Sequence, residues 1–287
     1  MREAVHAGGI LWQRYQRREE GGSLPAPLLI LHGLFGSSDN WQSQARALAE
    51  DGPVARTVIV PDLPNHGDSL HIETFSYPEL ADLLWEVLPL IVPRDTPLEL
   101  LGHSMGGKIA MAMALRQPMR VSRLVVVDIA PVRYSPRHKA ILEGMQAVAR
   151  AAPGSRGEAE RILAEHIPEK PVRLFLLKSL VPGGGAADRA GGQTGGDAYR
   201  WKLNLDGIRR CYDSISDWPL DPGVVAPYTG PTLFIRGGLS PYITGEGEAA
   251  IGPLFPQARI KTIPQAGHWV HAEAREAFLS VVRDQES

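Results

Sequence analysis

The sequence predicts an α/β fold in which a mostly parallel sheet of about eight strands carries helices on both faces and a helical cap insertion. Three observations lead to this prediction. Short apolar runs recur along the chain, helical patterns separate most of them, and the alternation stops over residues 131–222. Continuous runs rich in β-branched residues suit strands that are covered on both faces, as in a parallel sheet.

Six apolar runs are predicted to be strands, and a turn follows each of them. In chain order they are Leu28–Leu31, Thr57–Val60, Leu98–Leu101, Leu124–Val127, Thr232–Ile235 and Ile260–Ile263. The first thirty residues are expected to supply an antiparallel edge hairpin. Helices with apolar residues at three-to-four spacing are predicted between the runs. They cover Asp39–Glu50, Tyr77–Ile91, Ser104–Arg116 and His271–Asp284.

Residues 131–222 are predicted to form a helical cap, and residues 1–130 and 223–287 to form the core. No strand-like run of the same quality occurs in the cap. Its helical patterns cover Pro136–Ala152, Glu158–His166, Val172–Leu180 and Leu205–Ile215. A Gly- and Ala-rich loop, Pro182–Gly196, separates them. Open α/β sheets place their sites at the carboxyl ends of the strands, so we expect the cap to cover that edge.

The composition excludes several classes of function. Thirty Lys and Arg residues balance thirty-two Asp and Glu residues, so there is no electrostatic reason to expect nucleic acid or an anionic membrane as partner. The single cysteine, Cys211, rules out an intrachain disulfide. Because no apolar run has the length of a signal peptide core or a membrane span, we expect a cytoplasmic enzyme, as a monomer or small homo-oligomer.

Gly102–Gly106, with the sequence GHSMG, has the pattern G-x-S-x-G between a predicted strand and a predicted helix. This context identifies Ser104 as a candidate nucleophile on a strained strand-to-helix turn. The glycines two residues before and after the serine leave room for the chains to pass. The start of the following helix also favours negative charge on a substrate oxygen.

A serine nucleophile needs a general base, and His268 is the candidate because it follows the last predicted strand in a turn. His271 lies three residues later, and we expect it to be an ordinary helical surface histidine. The oxyanion donors are predicted to be the backbone N–H groups of Met105 and Leu34, with Phe35 as the alternative to Leu34. Histidines 32 and 66 are expected to be structural residues of their loops.

The acid that orients the base is less obvious, because no carboxylate follows the strand TLFI at the usual position. Ser240 stands approximately there. Asp128, at the end of the strand after the nucleophile strand, is the first candidate, since a carboxylate that ends a buried strand needs a partner. Asp206, in the predicted cap, is the alternative acid. Asp62 also ends a strand and is interpreted as structural.

Aromatic and apolar residues near these positions are candidates for the walls of a substrate pocket, although each could equally be ordinary core. They are Phe35, Phe175, Leu176, Trp201, Tyr212 and Trp269, together with His103, which the motif places beside the nucleophile. No group of His, Cys, Asp or Glu has metal-ligand spacing. The predicted chemistry therefore needs no metal or cofactor, and its partner is a small-molecule ester or thioester.

Seven motifs together resemble those of the YbfF-type esterases and the α/β-hydrolase domain-containing protein 11 family. They are HGLFGSSDNW, DLPNHGDS, GHSMGGKIAMAMAL, VVVDIAPV, WKLNLDGI, PTLFIRGGLSPYI and AGHWVHAEA. The resemblance covers nearly the whole chain and implies the α/β-hydrolase fold with a small helical cap. It also implies esterase activity on short-to-medium acyl esters, with acyl-CoA thioesters as a further substrate class.

The same family tends to lack a carboxylate after the seventh strand, which favours Asp128 as the acid. Two departures from its pattern concern the site. Pro64 stands where relatives often carry arginine, and the Gly-rich loop Pro182–Gly196 is longer than expected. These departures leave the lining of the site, the shape of the cap and the size of the substrate open.

Two other functions fit the same residues. A cofactor-free perhydrolase of the haloperoxidase type uses peroxide with a serine, a histidine and an aspartate. A hydrolase-fold receptor binds a small molecule and signals through its cap. Dehalogenases and epoxide hydrolases carry an aspartate at the turn, so Ser104 argues against them.

Overall fold

A sheet of eight strands forms the centre of the protein in the computed structural model, which describes residues 1–16, 25–50, 56–183 and 198–284. The order across the sheet is β1-β2-β4-β3-β5-β6-β9-β10. The strands are β1 Arg2–Ala7, β2 Ile10–Tyr15, β3 Leu28–Leu31, β4 Val58–Pro61, β5 Leu98–His103, β6 Val121–Val127, β9 Thr232–Gly237 and β10 Ala258–Ile263. From β4 to β10 neighbouring strands are parallel, while β1 and β2 form the predicted antiparallel hairpin.

The sheet confirms the predicted fold class, and each of the six apolar runs contributes to one strand. Strands β3, β4, β5 and β6 are buried along most of their length, because helices cover both faces. Helices of the core are α1 Gln42–Glu50, α2 Tyr77–Val87, α3 Met105–Arg116, α9 Gly245–Leu254, α10 Val270–Glu273 and α11 Arg275–Arg283. The predicted C-terminal helix is thus divided at Ala274. In the described residues, no helix combines the length and apolar character needed to cross a bilayer.

Between β6 and β9 the described chain forms five helices and a two-stranded antiparallel sheet. The helices are α4 Lys139–Ala151, α5 Arg156–Ala164, α6 Lys170–Leu176, α7 Leu205–Arg210 and α8 Tyr212–Ser216, and the strands are β7 Leu180–Pro182 and β8 Tyr199–Trp201. The prediction of an all-helical insertion is therefore wrong in this detail. Strands of three residues leave no periodic pattern in the sequence, because each has one or two inward positions. Residues 184–196 of the Gly-rich loop lie outside the described part of the chain.

The segment between β6 and β9 also contacts the core away from its two chain connections. His66, in the loop after β4, forms an antiparallel bridge with Leu203. The N–H of Gly67 donates to the carbonyl oxygen of Lys202 at 2.8 Å, and the N–H of Asn204 donates to that of Asn65 at 3.0 Å. The loop after β4 therefore fixes the position of the chain that leads into α7.

Candidate active site

Ser104 lies in a strained turn between β5 and α3. Its backbone angles are φ 53° and ψ −121°, a region that non-glycine residues rarely adopt. Its N–H donates to the carbonyl oxygen of Val127 at 3.0 Å, so the turn is tied to the end of β6. A Cβ at Gly106 would lie 2.2 Å from the Leu31 oxygen, and one at Gly102 would lie 2.1 Å from the Gly106 oxygen. The two glycines are thus required by close backbone approach, as the motif predicts.

Substitution of Gly102 by alanine is expected to destabilise the fold by about 3 kcal/mol, because the new methyl group would meet backbone atoms that have no rotamer to change. Gly157→Ala is the matched control, since a Cβ at that helical position has nothing within 4 Å. The control should be neutral or stabilise the protein by up to about 1 kcal/mol. Urea unfolding of the two variants measures both effects. Equal midpoints would contradict the packing argument.

Asp128 and His268 are joined by a hydrogen bond of 2.8 Å between His268 Nδ1 and Asp128 Oδ2. Asp128 follows β6 directly, and its side chain is wholly buried. The Gly237 N–H donates to Oδ1 at 3.0 Å, and the Ser240 hydroxyl donates to Oδ2. Asp128 itself has a left-handed backbone with φ 50°. Three donors thus hold a buried carboxylate in one orientation, beside the ring that it contacts.

The alternative acid, Asp206, lies elsewhere. It occupies the first turn of α7 and is exposed. It does not belong to the described residues that line the cavity containing Ser104 and His268. Ser240, which stands where the usual acid would be, is a hydrogen-bond donor to Asp128. The loop after β9 thus supplies a hydrogen-bond donor to the carboxylate of Asp128, which follows the neighbouring strand β6.

The loop that carries His268 is held from several sides. The carbonyl oxygen of His268 lies 2.8 Å from His103 Nε2. Tyr242 stacks on the His268 ring, with 4.0 Å between ring centroids. The Glu273 carboxylate accepts the N–H groups of Gly267 and Trp269 at 2.6 and 3.2 Å. His103, which precedes Ser104, thus positions the loop of His268, and its place in the motif does not reveal this contact.

Backbone donors for an oxyanion are available at two positions. Leu34 and Met105 have no acceptor for their N–H groups among the hydrogen bonds of the described residues. The N–H of Phe35, the alternative donor, is already engaged because it donates to His66 Nε2 at 3.2 Å. His32 Nε2 likewise accepts the N–H of Leu63 at 3.0 Å. Both loop histidines therefore order the backbone around the donors, in agreement with the structural roles expected for them.

A cavity of about 190 Å³ contains Ser104 and His268. Its walls are largely apolar and include predicted pocket residues from both the core and the intervening segment. These are Phe35, His103, Phe175, Leu176 and Trp269. Tyr212 lines an adjoining cavity instead. Trp201 is not among the described residues that line either cavity. Its indole packs inside the helical segment and its Nε1–H donates to the Met145 carbonyl oxygen at 2.9 Å. The assignment of Trp201 to the pocket is therefore wrong.

Two further histidines belong to the surroundings of the site. His271 is 5% exposed and stacks on Trp41 with 4.1 Å between centroids, so the expectation of a surface histidine is wrong. Helix α10 directs the His271 ring inward, towards the cavity. The helix is only four residues long, so its sequence has no periodic pattern from which this orientation could be predicted. His138 lines the cavity from the segment after β6 and was not predicted. Its Nδ1 lies 2.7 Å from the Tyr212 hydroxyl.

Burial keeps several of these histidines neutral. Desolvation lowers the pKa of His32 to about 4 and the pKa values of His66 and His271 to about 3. The unfolded chain, with pKa values near 6.5, binds more protons than the folded chain over this interval. Stability is therefore fully present above pH 6.5 and is lost as the pH falls towards 4.

The free energy of unfolding is expected to fall by roughly 1 kcal/mol for each of these three histidines between pH 7.0 and 5.5. Urea unfolding at the two pH values measures this. His271→Phe keeps an aromatic ring on Trp41 and should make the decrease smaller by roughly 1 kcal/mol, the share of one histidine. The control His71→Asn changes an exposed histidine and should retain the decrease in full. A pH-independent free energy of unfolding in the parent protein would contradict the prediction.

The fold and the site define an enzyme of the α/β-hydrolase class, with a serine at the strained turn after a central parallel strand. Residues 26–274 match the family described as alpha/beta hydrolase fold, so the chain belongs to that family. It is 39% identical over 274 residues to the sn-1-specific diacylglycerol lipase ABHD11 of Mus musculus, covering 93% of this chain and 83% of the relative.

Two further comparisons support the same class. The esterase YbfF of Escherichia coli (strain K12) is 36% identical over 259 residues, with 90% of this chain and 92% of the relative covered. A solved structure named marine microorganism esterase superposes with a TM-score of 0.82 at 34% identity, over 96% and 98% of the two chains. The predicted resemblance is confirmed, and the chain is an α/β-hydrolase of the esterase and lipase type.

Proposed function

We propose that this protein hydrolyses carboxylic esters by a two-step acyl transfer in which Ser104, His268 and Asp128 act as nucleophile, base and orienting acid. The observation that carries the proposal is the 2.8 Å hydrogen bond that joins His268 to a wholly buried carboxylate. Ser104 and His268 line the same cavity, so the base faces the space in which the nucleophile reacts.

In the proposed mechanism, neutral His268 carries its proton on Nδ1, where it is donated to Asp128. With Nδ1–H donated to the carboxylate, Nε2 is unprotonated and can take the proton of the Ser104 hydroxyl. The serine oxygen then bonds to the ester carbonyl carbon. His268 returns the proton to the leaving alkoxide, and the acyl group remains on the serine. A water molecule, activated by the same Nε2, releases the acid and restores Ser104.

The charged intermediate needs donors that are already in place. The N–H groups of Leu34 and Met105 are proposed to hold the oxyanion, because both are free of other acceptors within the described hydrogen bonds. Phe35 cannot serve without releasing His66. The N-terminus of α3 adds a favourable dipole at the same point.

The walls of the larger cavity suit a hydrocarbon part of the substrate. Phe35, Phe175 and Trp269 border it together with Ser104 and His268. Residues 131–222, the segment that contributes Phe175, are proposed to act as a cap over the site. The relatives named esterase and diacylglycerol lipase favour oxygen esters as substrates. Acyl-CoA thioesters undergo the same two steps and are a second substrate class to assay.

Labelling with a fluorophosphonate tests the proposal directly. We expect one phosphonate per chain, a modified peptide that contains Ser104, and loss of p-nitrophenyl butanoate hydrolysis in proportion to labelling. Hydrolysis without labelling at Ser104 would contradict the assigned nucleophile. A parent protein that binds small molecules but turns over no ester would favour the receptor function, and turnover that requires peroxide would favour the perhydrolase.

A further inference from the structure

A second cavity, of about 40 Å³, adjoins the larger one at the nucleophile. Leu34, Ser104, His138 and Tyr242 line both cavities, so a carbonyl carbon bound to Ser104 lies where the two meet. The two spaces differ in chemistry as well as size. The larger has aromatic and aliphatic walls, whereas the smaller is bordered by two cationic side chains.

Lys108 is the first of these cations. It is 2% exposed, and its Nζ donates to the carbonyl oxygens of Ser216 and Asp217 at 3.2 and 2.7 Å. The ring of Tyr134 lies 4.9 Å from the same nitrogen. The Asp217 carboxylate is turned to Arg133, 3.7 Å away. Carbonyl oxygens and a phenol ring therefore contact a buried ammonium that forms no ion pair with the described residues. Desolvation outweighs the opposing charge of the Asp217 carboxylate and lowers the pKa of Lys108 to about 7.

Arg137 is the second cation. Its guanidinium lies 5.3 Å from the ring centroid of Tyr242, which stacks on His268. No carboxylate lies within ion-pair distance of it in the part of the chain that the structure describes. The described residues that line the small cavity also include no aspartate or glutamate. Two cationic side chains, one buried and one exposed, thus border the small cavity beside Ser104, and no carboxylate is among its described lining residues.

The position of His268 determines which arm of an ester enters which cavity. The leaving alkoxide must lie near His268 to receive its proton. Among the described residues, His268 lines only the larger of these two cavities. Met105, a proposed oxyanion donor, lines only the smaller one. The alcohol arm therefore extends into the larger, apolar cavity. The acyl arm is left with the smaller one.

We propose that the small cavity is an anion-binding acyl subsite, and that the preferred substrates are esters whose short acyl arm ends in a carboxylate facing Lys108 and Arg137. This proposal rests on the proposed ester hydrolysis. An anion placed there would compensate a buried ammonium and make charge-assisted hydrogen bonds with the guanidinium. An apolar arm of equal length would give the buried Lys108 ammonium no such compensation.

Two pairs of substrates test the assignment. Monobutyl succinate and butyl levulinate share the alcohol arm and differ by a carboxylate against a methyl ketone on the acyl arm. Carboxymethyl butanoate and acetonyl butanoate place the same difference on the alcohol arm. We expect kcat/KM to be about tenfold higher for monobutyl succinate than for butyl levulinate, and the carboxylate on the alcohol arm to give no gain. Released butanol or butanoate is measured by chromatography.

Variants connect the preference to the cavity. Arg137→Gln, at an exposed position, and Lys108→Met should each lower the succinate-to-levulinate ratio towards 1. Arg209→Gln is the matched control, because that arginine is exposed on α7 and lines neither cavity, and it should retain the parent ratio. A ratio that survives both cavity variants, or a gain for carboxymethyl butanoate instead, would overturn the subsite. So would equal rates for the succinate and levulinate esters. If the parent protein hydrolyses none of the four esters, the proposed ester hydrolysis itself is overturned.

Discussion

Replacement of Ser104 by alanine is expected to lower kcat for p-nitrophenyl butanoate by about 10⁶-fold, because the hydroxyl proposed to form the acyl-enzyme is lost. Alanine keeps the Cβ, so the strained turn and its hydrogen bond to Val127 are retained. We therefore expect a circular dichroism spectrum and a urea midpoint close to those of the parent. Initial rates, with spontaneous hydrolysis subtracted, measure the effect.

Ser280→Ala is the matched control, since this serine is exposed on α11. It should retain the parent rate and remain labelled by the fluorophosphonate in a Ser104-containing peptide. A Ser104→Ala protein that is folded and keeps a substantial part of the parent rate would contradict the nucleophile assignment. Another serine would then have to be found by labelling that variant.

Substitution of Asp128 by asparagine is expected to lower kcat by about 10⁴-fold, the scale seen when the acid of a triad is lost. The amide would present either a neutral oxygen or an N–H group to His268 Nδ1. In both cases the charge that stabilises the protonated ring disappears. If the amide N–H faces Nδ1, the neutral ring also carries its proton on Nε2, which is the wrong tautomer for a base. KM should change much less than kcat, because Asp128 is wholly buried and contacts the ring and the loop after β9.

Asp206→Asn makes the same chemical change at the exposed carboxylate of α7 and should leave kcat close to that of the parent. If Asp206→Asn shows the large loss and Asp128→Asn does not, the assignment of the acid is wrong. Ser240→Ala removes one donor to Asp128 and should give an intermediate loss. Comparison of the three variants separates the charge of the acid from its orientation.

Much of the fold could be predicted because the parallel strands are buried on both faces and so appear as continuous apolar runs. Strand β6, Val121–Val127, was located by four consecutive residues of this kind. Features that are short or depend on distant partners were not predicted. Helix α9, Gly245–Leu254, contains Pro253 and glycines that hide its pattern, and the pair β7–β8 spans three residues on each side.

The candidate site divides in the same way. Ser104 is recognisable from five consecutive residues, because a strained turn imposes glycine at fixed distances from it. Asp128 could be inferred as the acid only because no carboxylate stands at the usual position after β9 and because a carboxylate stands at the end of β6. The inward orientation of His271 and the contribution of His138 depend on packing between elements far apart in the chain. No local pattern contains that information.

Asp128 and His268 are separated by 140 residues, whereas Ser104 and Asp128 belong to one strand–helix–strand unit. During synthesis, the nucleophile and the acid can therefore fold together well before the base has left the ribosome. The hydroxyl remains an ordinary alcohol until β9 and β10 add to the sheet and bring their loops to the same edge. Under the proposed roles, the nascent chain cannot react with cellular esters before most of the core has assembled.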